Sequence, residues 1–161
     1  MEFSISMDRV TKWITWGTLS LLFGIVLKLV PSYSDHPIRL LVSLVIAIGV
    51  LSFSLLLKPT KYQVTTNELI IHTSMRNVKI QRDQIREVRE LGKDELTRLF
   101  RIFGIGGIFG YVGFFTSPSE GLMTMYSTRR DNRVMVRTIN KKFLLTPDEP
   151  KLFINHLNEV A

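Results

Sequence analysis

The feature that most constrains this chain is an uncharged run of 18 residues, Leu40 to Leu57. As a helix rising about 1.5 Å per residue, this run approaches the roughly 30 Å hydrocarbon core of a bilayer. A second apolar run, Trp13 to Val30, contains one charge, Lys28, near its end, where a long side chain can reach the headgroups. The two runs predict a transmembrane helical hairpin, residues 1–59, with spans of about residues 13–30 and 38–57.

Two alternatives are open for these runs. Helices buried inside a soluble protein can have the same composition. The first run also resembles a signal peptide, because Ser32-Tyr33-Ser34 ends in a small-x-small pattern after a basic start. That run is long for a signal peptide, and Pro31 lies within the would-be cleavage site, so we favour the hairpin.

The charges beside the runs predict their orientation, since short cytoplasmic loops carry an excess of Lys and Arg. The connecting residues 31–37 contain neither, although Lys28 and Arg39 lie at the borders. Both termini are therefore predicted to be cytoplasmic, in a two-span protein of the cell membrane. Four basic residues lie before the first span or after the second, on the side predicted to be cytoplasmic: Arg9, Lys12, Lys58 and Lys61.

Aromatic and small residues within the hairpin occupy informative positions. Trp13 and Trp16 are predicted at the inner membrane interface and Tyr33 at the outer one, where amphipathic aromatic side chains are enriched. Each span also has two small residues four positions apart, which in an antiparallel hairpin would allow close helix packing near mid-membrane. This candidate helix–helix seam consists of Ser20, Gly24, Ser43 and Ala47.

The rest of the chain, residues 60–161, has the usual size of one domain. Cysteine is absent, which excludes disulfides, thiolate metal sites and thiol nucleophiles. From Lys58 onward there are 17 Lys and Arg against 11 Asp and Glu, a net charge of +6 that an anionic leaflet would attract. The charge is spread along the chain without a helix-turn-helix, zinc-finger or RNP pattern, so nucleic acid is not a predicted partner.

The hydrophobic period changes to two after Pro59, which is typical of strands. We predict a meander of about seven short antiparallel strands, in which Ile85–Leu91 alternates imperfectly and leaves a bulge or helical turn open. Thr146 is predicted to cap a C-terminal helix, with Pro147 at its first position and Glu149 completing a capping box. The helix would face the core with Phe153, Leu157 and Val160.

Residues 99–117 allow several interpretations. A third transmembrane helix competes on hydropathy, but five glycines and Arg101 oppose it. A loop dipping into the membrane interface is another alternative. The glycines of residues 104–110 differ by one residue in spacing from a dinucleotide-binding fingerprint. The strand and helix that such a site requires are not predicted here, so we do not predict nucleotide binding.

We find no catalytic arrangement and no metal spacing among the three histidines, so we predict no enzyme, no cofactor and no metal.

Five segments are distinctive as a set: Leu99–Gly104, Gly110–Phe115, Met125–Arg129, Thr146–Pro150 and Phe153–Leu157. Together they resemble the bacterial pleckstrin-homology-like domain family, over about residues 62–158. The resemblance implies a seven-stranded antiparallel barrel or sandwich with a C-terminal helix, hence an α plus β membrane protein. Relatives in fold often bind phosphoinositides through a basic first loop, but Thr66-Asn67-Glu68 has no Lys or Arg, and the resemblance implies no specific ligand.

The predicted function is a membrane-anchored binding or scaffold module that presents a cytoplasmic surface to a protein partner or to anionic lipid headgroups. The alternative is a membrane stress-response or immunity component whose hairpin engages another membrane protein. Basic turns of the domain are predicted to form one patch on the anionic leaflet. The competing interpretation is that these turns are merely solvated. The candidate patch consists of Arg129, Arg130, Arg133, Lys141 and Lys142.

Topology can be tested with reporter fusions. Fusions at Ser34 and Ala161 should report opposite sides of the membrane, the former outside and the latter inside, because the flanking charges hold both termini in the cytoplasm. Periplasm-active and cytoplasm-active reporters measure the two positions. Both positions on one side would contradict the hairpin.

Overall fold

A computed structural model describes residues 1–29, 37–92, 95–96 and 98–159. These residues form three helices: α1 (Arg9–Leu29), α2 (Pro37–Leu57) and α3 (Pro150–Glu159). They also form ten strands and one 3₁₀ turn, Arg82–Gln84. The strands are β1 (Glu2–Ser4), β2 (Pro59–Val64), β3 (Glu68–Thr73), β4 (Val78–Gln81), β5 (Ile85–Leu91), β6 (Phe100–Gly106), β7 (Tyr111–Ser117), β8 (Gly121–Ser127), β9 (Arg133–Thr138) and β10 (Lys142–Leu145).

The strands form two sheets. The smaller has the order β1-β2-β3-β4 and the larger the order β5-β9-β10-β8-β7-β6. β10 lies between β9 and β8 and runs parallel to β8. The prediction of seven antiparallel strands is therefore wrong in the strand count and in one pairing. Alternation of apolar residues shows which face of a strand is buried, but carries no information about the direction of its neighbour.

The main core lies between the two sheets. Tyr62 and Ile71 from the smaller sheet pack with Val136 and Leu145 from the larger, and α3 adds Phe153. Each such side chain gains about 1.5–3 kcal/mol from full burial. The buried Tyr62 hydroxyl donates to the carbonyl oxygen of Tyr126, so its polar atom is satisfied.

A second core lies on the outer face of the larger sheet. It contains Met123, Met125, Met135 and Leu144, and the segment after β5 covers it with Leu96. Both faces of the central strands are thus buried, which explains why β9 and β10 are apolar at consecutive positions.

The N-terminal residues belong to the smaller sheet. β1 precedes α1 and pairs antiparallel with β2, which follows α2. Phe3 is buried and packs edge-to-face on Phe153, with ring centroids 5.1 Å apart. The two helices are therefore an insertion between neighbouring strands. The predicted boundary between residues 59 and 60 assigned β1 to the hairpin and not to the domain. Alternation of Phe3, Ile5 and Met7 with polar residues was the available signal.

The two predicted spans are helices, α1 and α2, each 21 residues long. Both are long and apolar enough to cross a membrane, with mean hydropathy of 1.4 and 2.8, and few of their residues are buried by the rest of the chain. Trp13 and Trp16 are exposed. Tyr33 lies outside the described residues, so its predicted position at the outer interface stays a prediction.

The predicted seam is not formed at Gly24. A Cβ added to Gly24 would meet no atom within 4 Å, and Ser20 is exposed, whereas Ser43 and Ala47 are half-buried. Docking of Thr11 and Thr15 on the domain sets the rotation of α1, and at 3.6 residues per turn Ser20 and Gly24 point away from that face. The structure thus shows no close contact at Gly24, and the seam of four small residues stays a prediction.

The third-span alternative for residues 99–117 is wrong, because these residues form β6 and β7 of the larger sheet. Gly104 and Gly113 face each other across the pair with φ of 122° and 134°. A Cβ on Gly104 would lie 2.2 Å from the carbonyl oxygen of Val112. The two backbones therefore lie so close together, at positive φ, that only glycine fits at these two positions. The predicted irregularity of β5 is confirmed by a register shift between Ile85 and Glu87.

The predicted cap of the C-terminal helix is also wrong. α3 begins at Pro150, and the hydroxyl of Thr146 instead accepts a hydrogen bond from the Thr128 backbone N–H at 3.2 Å. Thr146 follows β10 directly and is fully buried. Its side chain therefore contacts the residues at the end of the adjacent strand β8 and does not cap a helix. Phe153 and Leu157 face the core as predicted, and Val160 lies outside the described residues.

The role of β1 predicts a stability effect far from the helices. Phe3→Ala should lower the free energy of unfolding by about 3–4 kcal/mol, because it removes a buried ring and leaves a cavity against Phe153. Pulse proteolysis in urea of the detergent-solubilised chain measures the change. Leu152→Ala, at an exposed position of α3, is the control and should cost less than about 1 kcal/mol. Equal effects of the two changes would contradict the assignment of β1 to the core.

Candidate functional site

A cleft of about 590 Å³ lies where α1 leaves the domain. One wall is the start of α1 with the residues before it, and the other is the turn between β8 and β9. We call it the basic cleft. Its charged lining residues are Asp8, Arg9, Lys12, Arg129, Arg130, Asp131 and Arg133.

Asp8 joins the two walls of the basic cleft. One carboxylate oxygen accepts the backbone N–H of Thr11 at 2.8 Å and caps α1, and the other accepts the backbone N–H of Arg130 at 3.1 Å. Burial alone would raise the pKa of Asp8, but these hydrogen bonds outweigh it and lower the pKa. The ionised carboxylate therefore holds the start of α1 against the β8–β9 turn.

Arg129 forms ion pairs within the domain. It forms ion pairs with Asp131 and, at 2.9 Å, with Asp148, and only 18% of its side chain is exposed. The hydrogen bond to Asp131 raises the pKa of Arg129. Asp148 also accepts the hydroxyl of Ser6 at 2.6 Å. Arg129 therefore helps to fix the segment between β1 and α1, and contributes little free charge to the cleft.

Arg130 is the exposed cation of the β8–β9 turn. Its Nε donates to the Tyr111 hydroxyl at 2.7 Å, and its guanidinium carbon lies 5.5 Å from the centre of that ring. Its terminal nitrogens form no hydrogen bond with the described residues. Arg133 is half-buried nearby, and burial followed by repulsion from Arg130 lowers its pKa. Arg130 thus presents two donor groups in the planar geometry that suits phosphate or carboxylate.

The predicted five-residue patch is divided by the fold. Lys141 and Lys142 lie at the β9–β10 turn, at the opposite end of β9 from Arg133 and therefore about 17 Å away at 3.3 Å per residue. Lys142 also donates to Glu120, whereas Lys141 is exposed. The structure thus places three of the predicted residues at the basic cleft and two at the far end of the domain.

Glu120 explains why several basic side chains are not available. Its carboxylate is only 6% exposed and accepts hydrogen bonds from Arg89 at 2.7 Å and from Arg137 at 2.6 Å, and it also pairs with Lys142 at 3.3 Å. Burial would raise the pKa of Glu120, but the hydrogen bonds from Arg137 and Lys142 outweigh it and lower the pKa. Three cations are thereby committed to one buried carboxylate.

The loop between β6 and β7 contacts α1 beside the cleft. The Thr15 hydroxyl accepts the backbone N–H of Phe109 at 3.0 Å and donates to the Thr11 carbonyl oxygen at 2.8 Å. Gly107, with φ of 104°, lies so close that an added Cβ would be 2.9 Å from Ile14. The apolar loop is therefore held against the second turn of α1, at Ile14 and Thr15, whose sequence neighbours Trp13 and Trp16 are exposed.

Sequence reasoning recognised Arg9 and Lys12 only as flanking charges, and the structure adds them to the cleft. It missed the carboxylates that decide which cations are free, although Asp131 lies only two positions after Arg129. The contact of Thr15 with Phe109 joins residues 94 positions apart and has no local signal.

Comparison with known proteins gives one finding. A family model described as a bacterial PH domain matches residues 60–161, which run from the second residue of β2 through α3. No curated protein and no solved structure matches the chain. The matched segment excludes β1 and both long helices, so half of the basic cleft lies outside the family match.

The Glu120 network predicts a pH-dependent stability. Because the folded state lowers the pKa of Glu120, its contribution is present above the ordinary value of 4.5 and is lost as the pH falls below it. Glu120→Gln should cost about 2–4 kcal/mol at pH 7, and the difference from wild type should shrink below about pH 4.5. Urea unfolding at several pH values measures this. Glu90→Gln, on the exposed side of β5, should change little, and a pH-independent Glu120→Gln effect would contradict the network.

Proposed function

Because this chain belongs to the bacterial PH domain family, we propose that it is a membrane-anchored binding module that receives anionic lipid headgroups in the basic cleft and presents the remaining domain surface to a protein partner. PH domains are in general non-catalytic modules that bind lipids or proteins. The observation that carries the proposal is the position of the basic cleft, at the point where α1 leaves the domain.

The helices support anchoring in a membrane. Their apolar side chains are exposed over most of their length, which is costly in water and favourable in lipid. The chain enters α1 from β1 and leaves α2 into β2, so both helices meet the domain at neighbouring strands. A bilayer around the helices therefore places its headgroups beside the domain, at the level of Arg9 and Lys12.

The cations of the cleft support binding of headgroup phosphate. Arg9 and Lys12 are exposed on the first turn of α1, and Arg130 lines the same cleft with terminal nitrogens that form no hydrogen bond with the described residues. Phosphate oxygens accept bidentate hydrogen bonds from Arg. Each cation near an anionic surface contributes about 1 kcal/mol, and the attraction decreases with salt.

The β6–β7 loop supports the same orientation. Its apolar residues Ile108 and Phe109 lie beside Thr15, at the depth of the two tryptophans. Aromatic side chains are enriched where a membrane meets water. In the proposed orientation this loop touches the membrane interface, as one of the alternatives for residues 99–117 requires.

Energy transfer from the chain's two tryptophans tests the cleft, because Trp13 and Trp16 lie next to it. Full-length protein is reconstituted with phosphatidylglycerol or phosphatidylcholine carrying the same dansyl group on an acyl chain. We expect stronger transfer to the anionic probe, and a roughly tenfold or greater loss of this preference in the Arg9→Ala/Lys12→Ala/Arg130→Ala variant, because three attractive charges are removed. High salt should weaken the preference.

The matched control removes three exposed cations elsewhere, through Arg76→Ala, Lys79→Ala and Lys151→Ala. It should keep the preference for the anionic probe, because these residues do not line the cleft. An equal loss in both variants would show that overall charge, and not the cleft, attracts the lipid.

The alternative function, engagement of another membrane protein by the hairpin, is favoured by one observation. A Cβ added at Gly17, Gly24 or Gly49 would meet no atom within 4 Å, so these glycines leave helix surfaces that another helix could approach. A chimera in which an unrelated hairpin replaces residues 19–53 separates the two functions, since it keeps Thr11 and Thr15. Complementation of a deletion strain by the chimera supports the binding module. Failure to complement, with lipid preference intact, supports the alternative.

A further inference from the structure

The smaller sheet covers only part of the larger one. Val136 on β9 and Phe143 on β10 face the smaller sheet and are buried. In the ladder Phe143 is paired with Thr124, Thr124 with Phe114, and Phe114 with Phe103, so these side chains lie on the same face. Phe114 and Phe103 are nevertheless 48% and 69% exposed. The inner face of the larger sheet is thus uncovered at Phe103 of β6 and Phe114 of β7, whereas Val112 on the same face of β7 is buried.

A groove borders this uncovered face at the end of the domain away from the basic cleft. It consists of two adjoining cavities of about 470 and 400 Å³. We call it the distal groove. The residues shared by both cavities are Phe114, Thr124, Thr138, Asn140 and Lys141.

The distal groove has a free strand edge along one side. β4 is the terminal strand of the smaller sheet and pairs only with β3 among the described strands. Val78, Lys79 and Ile80, three successive residues of β4, line the groove. A free edge carries unpaired backbone donors and acceptors and is a template for another strand. The exposed apolar side chains of Phe114, Leu122 and Ile139 lie in the same groove.

The charge of the distal groove is uniformly basic. Arg76 and Lys141 line it and form no ion pair with the described residues, and Lys79 is paired at its outer side with Glu68. No carboxylate lines either cavity among the described residues. An occupant that complements this surface is therefore acidic as well as apolar.

We propose that the distal groove binds an extended acidic segment of a cytoplasmic protein, which adds to β4 as a further strand and places an apolar side chain against Phe114. Strand addition supplies affinity through backbone hydrogen bonds, and alternate side chains supply specificity. The proposal rests on the proposed function as a binding module and names the kind of protein partner.

Other occupants fit the groove less well. A second copy that paired its own β4 with this β4 would bring Arg76 and Lys79 of the two copies together, and these like charges repel. A lipid headgroup belongs at the other end of β9, where α1 begins. An acidic segment of another protein meets neither objection.

A displayed library of random dodecapeptides tests the proposal on full-length protein in zwitterionic nanodiscs, with counter-selection on the Phe114→Ser/Lys141→Glu variant. The enriched peptides should be acidic, with apolar residues at alternate positions. The best peptide, made synthetically, should lose at least tenfold in affinity on Arg76→Glu and on Lys141→Glu, two changes at exposed positions outside the core. Lys151→Glu, on the exposed side of α3, should leave the affinity unchanged.

Backbone N-methylation of the peptide tests strand addition directly. Methyl groups on alternate residues of one edge should abolish binding, and methyl groups on the other edge should be tolerated, because one edge of an added strand pairs with β4. Four results would overturn the proposal: no enrichment over the counter-selected variant, enrichment of neutral or basic peptides, equal tolerance of both methylation patterns, or a dimer of the chain that dissociates on Arg76→Glu. The counter-selected variant keeps every residue of the basic cleft, so peptides that bind there are removed and the outcome is independent of the lipid proposal.

Discussion

The antiparallel pairing of β1 with β2 is the interaction on which the arrangement of this chain depends, because β1 lies just before α1 and β2 just after α2. It makes the helical hairpin an insertion into one sheet instead of an appendage on a linker. The buried Phe3 ring holds β1 to α3. Once β1 is fixed, the first turns of α1 lie against the domain, and the rotation of that helix and the walls of the basic cleft follow.

The distribution of carboxylates decides which basic side chains face solvent as free charges. Asp131 and Asp148 hold Arg129, and Glu120 holds Arg89, Arg137 and Lys142. Net charge alone therefore overstates the charge available for binding. Among the exposed cations that form no ion pair with the described residues, Arg9, Lys12 and Arg130 line the basic cleft. Arg76 and Lys141 line the distal groove, and others, such as Lys151 on α3, lie apart from both. Exposed ion pairs are individually weak, so the buried carboxylate of Glu120 has the largest effect on which cations stay paired.

These two surfaces lie at opposite ends of β9. The basic cleft adjoins α1, whereas the distal groove lies at the β9–β10 turn and the free edge of β4. One domain can therefore contact a bilayer at one end and a soluble protein at the other without competition between them. The separation also explains why a single patch containing Arg130 and Lys141 is not formed, although the two residues are close in the sequence.

The sequence by itself determined the two long apolar helices, the positions of most strands, the apolar face of α3 and the family, because hydrophobic periodicity and local motifs are written in neighbouring residues. Only the tertiary structure decided that β1 joins the sheet, that β8 and β10 are parallel, that Thr146 lies in the core and that Gly24 faces away from the domain. It also decided that Arg129 and Lys142 pair with carboxylates, whereas the guanidinium of Arg130 donates only to the neutral hydroxyl of Tyr111 among the described residues. The physical reason is that strand partners, helix rotation and ion pairs join residues far apart in the chain, whose meeting depends on the packing of the whole domain.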